Sequence, residues 1–263
     1  MSPAPAADAD DAAGRDGSGE GGSSLERMLR LLDAYTHERH AWNVDDLAAH
    51  FGFTPSSTYR YVKELCKAGL LVRLPRGVYA VGARVVELEA LIRETDPVIR
   101  VGKPMLRGLA EETGCHVLLS NVYGDHLLNV LVEPGIEPLE LTYLRGKSLP
   151  WFRGAPSFSV LAFWPRARVR KLFDQTFPSG GADWDDCWSQ LRAVRKAGYC
   201  VSHEGLDPDV VGYGAPVMLE DEVIGTISLV CSKRRSDFLN GAALGAALQQ
   251  TSRALGDRLL QEA

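Results

Sequence analysis

The sequence has little that would anchor a chain outside the cell or perform covalent chemistry. Cysteine is sparse: Cys66, Cys115, Cys187, Cys200 and Cys231 are scattered over 263 residues with no C-x-x-C pair. An odd, dispersed set excludes a disulfide scaffold and reads as reduced thiols, used as small apolar side chains. No run reaches the ~18 uninterrupted apolar residues of a membrane span, and the N-terminus lacks the apolar core of a signal peptide. The expectation is a soluble, cytoplasmic protein with no membrane partner. The six histidines show no ligand spacing, so neither a metal nor a cofactor is expected. His203-Glu204 lacks the second His of a zinc helix, and no G-x-S-x-G elbow occurs. Cys115 and His116, as strand neighbours, would face opposite ways. With no catalytic constellation left, the chain is not expected to be an enzyme.

Charge has no strong overall bias, with 29 Lys+Arg against 34 Asp+Glu, but it is unevenly spread. Residues 1–23, rich in Ala, Asp, Gly, Ser and Pro, carry −4 and read as a disordered acidic tail. Residues 24–82 carry +2, a bias that fits a polyanion partner or simply a solvated surface.

From Ser24, a candidate N-cap, Leu25, Met28, Leu29, Leu32 and Tyr35 form one helical stripe. A second helix should start after Asn43 and close at Gly52, with Leu47, Ala48 and Phe51 inward. Thr54 caps a third, Pro55 takes its first position, and Gly69 ends it. Two β-prone runs, 70–74 and 78–81, then flank Pro75-Arg76-Gly77 as a hairpin with a basic tip. Helix, short helix, turn, helix and hairpin make a winged helix-turn-helix. At 100° per residue, Val62, Leu65 and Cys66 share one side of the third helix, with Thr58 near its edge. Ser56, Ser57, Arg60, Lys63, Glu64 and Lys67 share the other. Such a face can enter a major groove, Arg60 pairing with a guanine edge while Lys63, Arg73 and Arg76 reach phosphates. The competing reading is an ordinary solvated surface. Residues 83–94 follow as an amphipathic helix with Val85, Val86, Leu88 and Ile92.

The remainder alternates differently. Helices near 98–113, 156–164, 166–175, 186–197 and 237–261 accompany strands at 116–123, 127–132, 139–144, 211–219 and 223–231. Helices around a mostly antiparallel sheet define an α+β domain.

The order and spacing of several segments resemble the IclR family of bacterial transcriptional regulators. They are DLAAHFGFTPSSTYRYVKELCKAGLLVR (46–73), GVYAVGARVVELE (77–89), LRGLAEETGCHVLL (106–119), LRGKSLPWFRGAPSFSVLAF (144–163), KAGYCVSHEGLDPDVVGYGAPV (196–217) and EVIGTISLVCSKRR (222–235). The resemblance implies a winged helix over 24–82, a linker helix over 83–96 and a GAF-like effector-binding domain over 97–263. It implies binding to double-stranded operator DNA as a homodimer or a tetramer of paired dimers, gated by a small molecule. Ser56, Ser57, Tyr59 and Arg60 match the family's recognition pattern. Gly212, Gly214 and Ser228 match positions that face the ligand, and Ser202 is a further candidate.

The covering segment after Leu149-Pro150 departs from the commoner pattern, with Trp151, Phe152 and Arg153 bulkier and more cationic. A guanidinium beside two rings suits a small carboxylate with an apolar or aromatic body. The other reading has Trp151 and Phe152 packing the core and Arg153 pairing with a carboxylate such as Glu204. An alternative function also stands: an enzyme or small-molecule-binding module whose N-terminal helices mediate protein contacts.

Overall fold

A computed structural model describes residues 23–36 and 38–262. The expected acidic tail, apart from Ser23, lies outside them. The described residues form two compact units divided between Ala90 and Leu91.

In the first unit, α1 (Ser24–Arg30) opens on Ser23, whose hydroxyl accepts the Glu26 N–H, so the cap lies one residue earlier than Ser24. A 3-10 turn at Leu31–Ala34, strand β1 (Ala41–Trp42), α2 (Val44–Phe51) and α3 (Pro55–Lys67) follow. Asn43 and Thr54 cap as expected, accepting from Asp46 N at 2.8 Å and Ser57 N at 3.4 Å. Strands β2 (Leu71–Arg73) and β3 (Tyr79–Val81) form the hairpin, and β1 pairs with the other edge of β3. Two residues are too few to show a strand alternation, which is why β1 escaped the sequence. Leu31, Leu47, Tyr61, Val62, Leu65, Leu71 and Tyr79 fill the core around Trp42. The Trp42 indole N–H donates to Ala34 O at 2.9 Å, so the ring is buried without an orphaned donor. Helix α4 (Ala83–Thr95) matches the helix expected over 83–94, and none of its residues is buried.

The second unit begins with α5 (Pro97–Thr113), β4 (His116–Tyr123), β5 (His126–Glu133) and β6 (Ser148–Leu149). Helices α6 (Gly154–Leu161), α7 (Arg166–Thr176) and α8 (Trp184–Ala197) come next, then β7 (Cys200–His203), β8 (Val210–Leu219) and β9 (Glu222–Ser232). Short α9 (Lys233–Ser236) and long α10 (Gly241–Glu262) close the chain, whereas the sequence pattern gave a single helix over 237–261. The sheet is antiparallel in the order β6-β5-β4-β9-β8-β7. The strand expected at 139–144 is irregular instead. Its Thr142 N–H donates to Asp207 Oδ1 and its Tyr143 carbonyl accepts from Asn129 Nδ2, so side chains satisfy groups that a ladder would have used.

Strand parity divides the labour. Val117 and Leu119 on β4, Val211, Tyr213, Ala215 and Val217 on β8, and Ile227, Leu229 and Cys231 on β9 share one core. Leu106 and Leu109 of α5 and Leu244, Leu248, Leu255 and Leu259 of α10 cover it. The alternate positions face α6 and its neighbours, where Phe152, Trp164, Val169 and Phe173 form a second core.

Candidate nucleic-acid interface and ligand cavity

Helix α3 is fixed from within. Thr58, Tyr61, Val62 and Leu65 are buried, and the Thr58 hydroxyl donates to Thr54 O at 3.0 Å. Tyr61, which the wheel did not assign, is therefore an anchor. Ser56, Tyr59, Arg60 and Lys63 are exposed, and Ser57 is half-buried beside the cap, accepting from Thr54 Oγ1 at 3.0 Å. Lys67 pairs with Glu64 at 2.7 Å, leaving Arg60 and Lys63 without a carboxylate partner among the described residues. At the wing tip Arg76 adopts φ +64°, a left-handed backbone that non-glycine residues rarely take. Arg73 and Arg76 are both exposed. The exposed side of α3 thus carries two hydroxyls, a phenol and two cations without a carboxylate partner among the described residues, the wing adds two exposed cations, and the opposite side of α3 is locked into a core.

In the second unit, a cavity with about 490 Å³ of empty space, its mouth included, opens on the α6 side of the sheet. Its floor is Leu118, Gly212, Ser228 and Val230, successive alternate positions on β4, β8 and β9. Leu141, Tyr143 and Leu149 form one wall; Ser202, Leu206, Asp207 and Val210 form another. Pro156 of α6 closes it.

Three of the seven residues expected at the ligand, Ser202, Gly212 and Ser228, line this cavity. The other four do not. Gly214 lies under α6: a Cβ there would stand 2.7 Å from Ala155 O, so its lack of a side chain lets helix and strand backbones meet. Phe152 is buried against Phe173 and Phe177, with ring centroids at 5.4 and 5.6 Å. Its backbone N–H donates to Ser157 Oγ at 2.8 Å, holding φ at +59°. Trp151 packs on Trp164 and donates from its indole to Asp125 O at 2.7 Å. Arg153 is exposed at the N-cap of α6. Glu204 pairs with Lys233 at 2.9 Å instead of Arg153, and that carboxylate holds the Lys233 pKa up.

Sequence reasoning missed Asn129, Leu141, Tyr143 and Asp207. The first two and Tyr143 were read as strand positions. Asp207 sits in the β7–β8 connection, and no motif marks it.

Comparison with known proteins accounts for both units. Residues 24–75 match the IclR helix-turn-helix domain, and residues 91–256 match the bacterial transcriptional regulator IclR C-terminal family. The HTH-type transcriptional regulator KipR of Bacillus subtilis is 26% identical over 244 residues, 89% of this chain and 97% of KipR. XynR of Escherichia coli, also an HTH-type transcriptional regulator, is 26% identical over 245 residues, with the same coverage of each chain. Two crystal structures share the fold. An IclR transcriptional regulator of Alicyclobacillus acidocaldarius superposes with a TM-score of 0.73 at 19% identity, over 90% of this chain and 99% of that one. An IclR homologue of Microbacterium hydrocarbonoxydans, complexed with 4-hydroxybenzoate, gives 0.71 at 20% identity over 91% and 100%. These relatives are regulators rather than enzymes, and the two matched domains bind DNA and effector respectively. The chain belongs to the IclR family of bacterial transcriptional regulators.

Proposed function

We propose that this chain is a cytoplasmic regulator whose affinity for operator DNA changes when a small molecule occupies the cavity walled by Tyr143, Pro156, Ser202 and Asp207. The observation that carries the reading is the two-sided α3. Its apolar side is locked in the core while Arg60 and Lys63 stand exposed, with Arg73 and Arg76 on the wing. In this reading Ser56, Ser57, Tyr59 and Arg60 approach base edges, and Lys63, Arg73 and Arg76 neutralise phosphates.

Two such faces must be spaced for half-sites about 34 Å or a multiple apart. The exposed apolar side chains Val85, Val86, Leu88, Leu91 and Ile92 of α4 support a homodimer seam that sets this spacing, with pairing of dimers into a tetramer as a further step. A ligand shifts operator affinity only through its unequal affinity for two arrangements of the dimer, typically ~1–3 kcal/mol.

The Microbacterium homologue's ligand has an aromatic body, and a small apolar body suits the leucines and valines lining the cavity here. An acid anchored by Arg153 would sit outside that lining, so the carboxylate head group expected from the sequence is not carried into this proposal. The test is operator binding by the purified protein across a salt series. Binding that weakens steeply as salt rises supports the reading. Salt-insensitive binding, or none to the DNA upstream of its own gene, overturns it.

A further inference from the structure

The chemistry of the cavity selects among ligand classes. Among the described residues fourteen line it, and none of these is Lys, Arg or His. The one carboxyl group among them is Asp207, only 7% exposed, with Oδ1 held by the Thr142 N–H at 3.1 Å and no protein donor to Oδ2 among the described residues. Beside it stands an unfilled demand: Ser228, 1% exposed, has a buried hydroxyl with no hydrogen-bond partner among the described residues. Buried polar atoms left unpaired cost free energy unless a ligand or water meets them. Ser202 Oγ accepts the Ala155 N–H at 2.9 Å, so its own proton remains available to donate. Asn129 accepts from Ser120 at Oδ1 and gives one Nδ2 proton to the Tyr143 carbonyl, so its second amide proton remains available to donate.

The helix end that would favour an anion is partly spent. The first turn of α6 adjoins the cavity through Pro156, and a helix N-terminus binds anions through its free N–H groups. Here the Ala155 N–H is spent on Ser202, and Pro156 has none. A carboxylate would therefore meet the Asp207 carboxylate with no cation and a depleted helix end. An ammonium would satisfy Asp207 but offer no acceptor to Ser202 or Ser228. A hydroxyl both donates and accepts.

We propose that the effector of this chain is a small neutral alcohol or phenol with an apolar body, its hydroxyl donating to Asp207 and accepting from Ser228 or Ser202. This assignment rests on the ligand-gated reading above and adds to it the class of molecule that does the gating.

The test is calorimetric titration and thermal shift on the full chain with four matched probes: benzyl alcohol, 4-hydroxybenzyl alcohol, benzylamine and benzoate. The alcohols should bind and raise the melting temperature, and benzoate should not. Asp207→Asn should weaken the alcohols by about tenfold or more while easing the exclusion of benzoate. Because Asp207 also holds Thr142, Ser228→Ala is the companion variant. It removes only an unpaired hydroxyl, so the protein should stay folded while binding the alcohols more weakly. Benzoate or benzylamine binding the wild type as well as the alcohols overturns the assignment, as does silence from both alcohols or unchanged binding in both variants. Operator binding by the ligand-free protein is scored separately, so loss of the regulator reading is distinguishable from loss of the ligand class.

Discussion

Substituting Gly214 by Ala tests how the helix that closes the cavity is held to the sheet. A methyl at 214 would lie 2.7 Å from Ala155 O, 2.8 Å from Ala155 C and 3.1 Å from Pro156 N. All three are backbone atoms in the first turn of α6, so no side chain can swing aside. Ordinary contact starts near 3.4 Å, so α6 must retreat by roughly 0.7 Å or β8 must bow. Neither is free, because Gly154, at φ +71°, pins the same turn against Leu206, and the Ala155 N–H is tied to Ser202. Overpacking of this kind costs ~1–3 kcal/mol. At ~2–4 °C per kcal/mol for a unit of this size, the melting temperature should fall by about 2–12 °C. Differential scanning calorimetry of the full chain reads the shift, and titration with an alcohol probe reads the loosened Pro156 rim as weaker binding. Ligand-free operator binding should persist, since α3 belongs to the other compact unit. A wild-type melting curve with wild-type ligand affinity would show that the cover does not bear on β8 and would refute this account of the closure.

Other expectations follow from the same geometry. Arg60→Ala should cost operator binding ~1–3 kcal/mol and relax preference at one base pair. Lys63→Ala should weaken all sequences alike and flatten the logarithmic salt slope by about 0.9; fluorescence anisotropy over a salt series separates the two, and identical behaviour of both variants would contradict the role division. Leu88→Asp should abolish operator binding through loss of the dimer while the effector unit stays folded; sedimentation velocity checks this, and tight binding by the variant argues against the α4 seam. The Tyr35 hydroxyl is buried without a partner among the described residues, and burial pushes its pKa up to about 12 from 10. Its folded pKa lies above the unfolded one, so the stability it contributes is complete below pH 10 and is lost as pH rises toward 12. Tyr35→Phe should remove that alkaline loss and be neutral or stabilising by ~1 kcal/mol near pH 7 in urea unfolding. A clearly destabilised variant would mean the hydroxyl has a partner.

The winged helix was legible because its signals are local. Asn43 and Thr54 cap where a side-chain oxygen precedes a helical stripe, Pro55 starts α3, and Gly52 ends α2 in a left-handed turn. The cavity was legible only where strand alternation reached it, at Gly212 and Ser228, or where Ser202 stood nearby. Its walls are long-range. Asp207 touches the 139–144 segment across 65 residues of sequence, and the bonds that prevent a strand there come from Asn129 and Asp207. At the cover the sequence left two readings open, a binding trio or a packed pair of rings, and the structure shows the packing. Two rings and a guanidinium look like a binding trio in sequence, but the left-handed turn at Phe152 sends each into a different environment, two against aromatic neighbours and one to solvent.

The alternation along β4, β8 and β9 has an evolutionary corollary. Leu118, Gly212, Ser228 and Val230 line the cavity, while their immediate neighbours weld the sheet to α5 and α10. Side chains at those four positions can change while the packing against α5 and α10 is kept, whereas Gly214, on the same side of β8, is fixed by its contact with α6.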